Sequence, residues 1–209
     1  MNTTTTVTLP PPIGAALRPG PYAGSIGLWA FIGVASALFA LFITAYAMRM
    51  QSGDWVQIAM PWQLWLSSAV LVAGSVLLHL AGRAARQSLW SGARALLLAG
   101  GLCALAFVCV QLWAWQALQS ARVSLTGNPS ASFFYLLTAM HGLHVIGGLA
   151  AWGKTLRRFQ PDSERSRRAI ALCARYWHFL LAVWAVLFAA LGWLTPEIVA
   201  YICGTEVPK

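Results

Sequence analysis

Five apolar runs divide the chain. They cover about residues 24–48, 60–80, 93–118, 132–153 and 174–194, each with the roughly 20 residues that an α-helix needs to cross a bilayer core. Polar and helix-breaking segments separate them: Arg49 and the SGDW loop, then Gly82, Arg83 and Arg86, then a turn with Gly127, Asn128 and Pro129. Pro61 suits the first turn of the second run. A basic segment, Lys154 to about Cys173, reads as a long solvated loop before the fifth. The pattern predicts an all-α integral membrane protein, a bundle of five transmembrane helices within residues 23–196. Residues 1–22, with a threonine run, five prolines and only Arg18 as a charge, form a flexible tail without the apolar core of a signal peptide. Residues 197–209 form a second tail.

Composition agrees, with 59% hydrophobic and only 9% charged residues. The net charge of +9 does not imply nucleic acid, because the basic residues sit between apolar runs. With five spans, the first tail and the second and fourth loops share one side of the membrane. They carry Arg18, then Arg83, Arg86 and Arg94, then Lys154, Arg157, Arg158, Arg165, Arg167, Arg168 and Arg175, which is 11 of the 14 basic residues. Charge bias therefore places the N-terminus in the cytoplasm and the C-terminus in the periplasm. Trp55, Trp62, Trp113, Trp115 and Trp193 fall at the outer interface on this reading, and Trp90, Trp152 and Trp177 at the inner one. Cys103, Cys109, Cys173 and Cys203 show no metal-type spacing and read as small apolar side chains.

Candidate chemistry narrows to histidine. All five carboxylates, Asp54, Asp162, Glu164, Glu197 and Glu206, lie in loops or tails, so no span carries an acid for a proton relay. The fourth run, FFYLLTAMHGLHVIGGL from Phe133 to Leu149, is the stretch that organises the chain. It places His141 and His144 on neighbouring helix faces near mid-bilayer, with Tyr135 and Thr138 as further polar groups. Gly148 and Ala151 continue that face and admit a close neighbour. These residues are expected to hydrogen-bond across to other helices, at about 0.6 kcal/mol per contact. His79 and His178 share one depth and could ligate a haem b, which would make the chain an electron carrier. Arg175, Trp177 and His178 are expected at lipid headgroups or an interface. No catalytic, cofactor or metal residue is assigned, since ligands to complete a metal site are missing. No internal repeat supports an independent transporter.

The stretch FFYLLTAMHGLHVIGGL closely resembles the signature helix of subunit III of haem-copper cytochrome oxidases, where an HGxHV core follows FYxLT. GLWAFIGVASALFALFITAY, Gly27 to Tyr46, resembles the first helix common to that family, and RYWHFLLAVWAVLF, Arg175 to Phe188, its last. Five spans match the shorter bacterial form, which lacks two helices. Two positions depart: Ala35 stands where the family often has a buried glutamate, and Leu181 where an aspartate usually follows WHF. The resemblance implies a subunit of the bacterial cytoplasmic membrane with no redox centre, packed on the catalytic subunit I and with subunit II nearby. Haem and copper would lie in those partners, and phospholipid in its own grooves. Its role would be to steady the catalytic site and support proton uptake during oxygen reduction. The accessory protein of a nitric oxide reductase and the subunit III of a quinol oxidase fit the same residues.

Overall fold

The computed structural model describes residues 23–123 and 128–204. The first tail with Arg18, the breaker Gly127, and Glu206 and Lys209 of the second tail lie outside the described residues. Among the described residues all regular structure is helical: α1 (Ala23–Arg49), α2 (Gln63–Arg86), α3 (Trp90–Ser120), α4 (Pro129–Arg157), α5 (Glu164–Trp193) and α6 (Pro196–Cys203). The first five are long and apolar enough to cross a membrane. They run up and down. Asn128 Nδ2 donates to the Val56 carbonyl and ties the α3–α4 loop to the α1–α2 loop. At the opposite end Trp90 Nε1 donates to Asp162 at 2.7 Å, and the Arg167 guanidinium lies over the Trp90 ring, joining the other two turns.

The helices outrun the apolar runs. α4 and α5 have 29 and 30 residues, or about 44 Å at 1.5 Å per residue, longer than the ~30 Å hydrocarbon core. Their basic ends therefore stand clear of it while remaining helical, since Arg and Lys are good helix formers. The expected long loop from Lys154 to Cys173 is corrected accordingly: only residues 158–163 are not helical. Pro129 likewise opens α4 instead of lying in a turn, at a position that needs no N–H donor, with the Asn128 side chain capping Ser130 N. Pro61 stands just before α2, and its carbonyl accepts the tight bond from Leu64 N that starts the helix. The second tail contains a further short helix, α6, capped by Thr195.

In the interior, α2, α3, α4 and α5 form a ring, and α1 leans on α4 and α5 from outside. α2 and α3 cross closely at glycine: a Cβ on Gly100 would lie 2.6 Å from Leu78 Cγ, and one on Gly74 would lie 3.0 Å from Cys103 Cβ. A Cβ on Gly101 would sit inside the indole of Trp152, which reaches over from α4 and donates Nε1 to the Leu97 carbonyl at 2.8 Å. α2 also carries the polar cross-links. Gln111 of α3 donates to Ser67 at 2.9 Å, and Trp184 of α5 donates to Ser68 at 2.8 Å. Outside the bundle, Arg49 binds both oxygens of Asp54 and holds that carboxyl below its ordinary pKa.

Replacing Gly101 with alanine should displace the Trp152 indole and destabilise the protein by about 1–3 kcal/mol. In a double-mutant cycle of thermal unfolding in detergent, Gly101→Ala with Trp152→Leu should cost less than the sum of the two single changes. Additive costs would mean that the two residues do not meet.

Candidate functional site

The organising stretch lies in α4, and its two histidines have different surroundings. His141 is fully buried, with 0% of its surface exposed. Its ring stands 5.1 Å from Trp184 of α5, 5.7 Å from Phe107 of α3 and 6.4 Å from Phe39 of α1, centroid to centroid. Phe107 meets Trp184 edge-on at 5.3 Å. Because the Trp184 indole is fixed by Ser68 of α2, all five spans converge on this cluster. Yet neither nitrogen of His141 has a hydrogen-bond partner. The expected interhelical hydrogen bond from His141 is thus replaced by ring packing. The reason is local: the neighbouring helices present the rings of Phe39, Phe107 and Trp184 to it.

His144 serves its own helix and α1. Its Nδ1 donates to the Met140 carbonyl at 2.7 Å, and its ring packs 5.2 Å from Phe39 and 5.7 Å from Phe31. The contacts across helices come from other residues. Trp115 donates to Thr138 at 3.1 Å, Tyr135 donates to the Val123 carbonyl beyond α3, and Tyr176 of α5 donates to the His144 carbonyl at 2.9 Å. Gly148 admits a side chain and not a backbone: a Cβ there would fall 2.8 Å from the Tyr176 ring and 3.3 Å from that of Trp177.

Trp177 is the clear correction. Expected at a headgroup interface, it is 1% exposed and belongs to the core. Because α5 begins at Glu164, Trp177 stands 13 residues into the helix, about 20 Å along it. Arg175 is exposed and stacks over Trp29 of α1 at 5.8 Å. His178 and His79 do come together, on the outer surface of the α2–α5 seam. His79 Nδ1 lies 3.3 Å from His178 Nε2, and His178 Nδ1 lies 2.7 Å from Ser75 Oγ. Two axial haem ligands need the iron and porphyrin plane between them. Side by side and in hydrogen-bond contact, these imidazoles leave no such space.

Two grooves flank α1. One, of about 450 Å³, runs between α1, α4 and α5 over Phe31, Gly147, Ala151 and Tyr176, with Lys154 and Thr155 at its end. The other, of about 300 Å³, lies between α1 and α5 over Phe39, Ala40, Phe179 and Val186. Both are apolar. Among the described residues no three His, Cys, Asp or Glu side chains gather as a metal site. The spine of Ser67, Ser68, Ser75 and Gln111 was not singled out from sequence, although serines seven or eight residues apart in an apolar run mark one face of a helix.

The fold and these side chains define a multi-pass α-helical membrane protein whose intramembrane polar groups are used mainly in packing its own helices. Residues 29–195 match the family model for cytochrome c oxidase subunit III. The chain belongs to that family. Among its relatives, a probable cytochrome c oxidase subunit 3 of Nocardia farcinica is 32% identical, covering 75% of this chain and 78% of the relative. A probable cytochrome c oxidase subunit 3 of Mycobacterium bovis shows the same identity and coverage. The cytochrome c oxidase subunit 3 of Synechocystis is 29% identical over 78% of this chain and 72% of its own.

His141→Leu loses three ring contacts but also removes a buried polar group without a partner, so it should change stability by no more than about 1–2 kcal/mol, whereas Trp184→Ala removes a large core ring and should cost about 3–5 kcal/mol. Thermal denaturation of the two variants in detergent distinguishes them. A loss in His141→Leu as large as that in Trp184→Ala would contradict the balance of ring contacts against an unpartnered polar group.

Proposed function

We propose that the chain is the accessory subunit III of a bacterial haem-copper terminal oxidase, with no redox centre of its own. The observation that carries this reading is how its histidines are used. His141 is packed among rings, His144 is bonded within α4, and His79 is paired with His178, so none is left in a haem-binding arrangement. Haem and copper belong to the partner subunits I and II in this reading. The protein sits in the bacterial cytoplasmic membrane with its N-terminus inside, as the basic loops favour. Its groove between α1, α4 and α5 suits the acyl chain of a phospholipid, with Lys154 beside the headgroup.

The role is to hold the catalytic subunit in its working form and to support proton uptake by it. Apart from Glu164 at the first residue of α5, the spans supply no carboxylate to move a proton, so a direct relay through this chain lacks acids. Support is mechanical: a rigid bundle packed beside the catalytic subunit, with lipid in its grooves, restrains the surface through which that subunit works.

The test is His144→Leu in the assembled oxidase. The change removes ring contacts to Phe31 and Phe39 worth about 0.5–1.5 kcal/mol each and loosens α1. Initial turnover should stay close to normal, while the enzyme loses this subunit sooner and inactivates after fewer turnovers. Immediate loss of turnover with the subunit still bound would overturn the supporting role.

A further inference from the structure

The pair His79 and His178 is not used by the packing of the bundle core, and its geometry has a chemical use. We propose that these two imidazoles, oriented by Ser75, form a binding site for one divalent transition-metal ion of the zinc, copper or nickel class. Imidazole suits these ions. Zn–N bonds are about 2.0–2.1 Å, so two of them at a tetrahedral angle span about 3.3–3.4 Å. His79 Nδ1 and His178 Nε2 are already 3.3 Å apart, and their rings are tilted by 56°. The ion takes the place of the hydrogen bond between them.

The surroundings complete the arrangement. Ser75 is 1% exposed, and its hydroxyl fixes Nδ1 of His178, leaving Nε2 directed at His79. A hydrogen bond to the second ring nitrogen is the usual device that orients a metal-binding histidine. On binding, each imidazole keeps one proton: His178 at Nδ1, donated to Ser75 Oγ, and His79 at Nε2, turned outward. No net proton is released. Both histidines are exposed on the outer surface of the bundle, so the remaining coordination positions are open to outside ligands. With only two protein ligands, the site exchanges its ion readily. The same ion would clamp α2 to α5.

The full-length chain in detergent, titrated with Cu²⁺ as the probe and read by electron paramagnetic resonance, tests the assignment. One ion per chain should show hyperfine coupling to two imidazole nitrogens. His79→Gln and His178→Gln should each abolish the two-nitrogen signal, and His144→Gln should leave it intact. Ser75→Ala should keep the stoichiometry and weaken binding about tenfold or more. Should His178→Gln fail to fold, His79→Gln still decides, because its side chain lies on the outer surface. Unchanged binding in His79→Gln, or coupling only to the amino terminus, would overturn the proposal.

Discussion

Lipid chains are as apolar as leucine, so burying a side chain between membrane helices brings little of the hydrophobic gain available in water. Close packing has to hold the helices together instead. Here that packing centres on one imidazole: His141 meets Phe39, Phe107 and Trp184, and Ser68 fixes Trp184 from α2. Edge and tilted ring contacts contribute about 0.5–1.5 kcal/mol each beyond the area they cover. Four spans meet α4 at this level, directly or through one hydrogen bond. The glycine crossing of α2 and α3 and the Tyr176 ring on Gly148 bring the same helices close about two turns away, toward the end that holds Trp90 and Asp162.

That centre holds no acid. His141 has no hydrogen-bond partner and is surrounded by the rings of Phe39, Phe107 and Trp184. A buried polar group without a partner costs about 1–3 kcal/mol, which the surrounding ring contacts offset. Inside the apolar runs there is no carboxylate that could change charge, and the bundle is mostly apolar. Such a bundle suits a subunit that supports a neighbour's chemistry. α1 remains the loosest element, separated from α4 and α5 by two apolar grooves.

Much of this was legible beforehand. Five spans followed from run length alone, and the HGLHV stretch in α4 pointed to the family to which the chain belongs. Other features depended on three dimensions. Trp177 read as an interfacial residue because the basic stretch before it looked like a loop; once α5 is known to start at Glu164, the same residue is deep in the helix. Gly148 signalled a close neighbour, but residue size alone does not say whether a backbone or the ring of Tyr176 fills the space. The serines of α2 give only a weak signal in the sequence, because a hydroxyl can bond its own helix, as Ser67 does to the Leu64 carbonyl, and so needs no partner to be tolerated. His79 and His178 were matched in depth by counting residues, but only the packing of α2 on α5 turns equal depth into contact.

The central claim is that this chain carries packing groups and no redox centre, and works beside a partner that does. The most direct measurement is purification of the tagged protein from its native membrane in mild detergent, with an optical spectrum and identification of the proteins that accompany it. The account predicts haem absorption together with a large, many-span partner, and loss of that absorption when the partner is stripped away. A Soret band that stays with the isolated chain would contradict it.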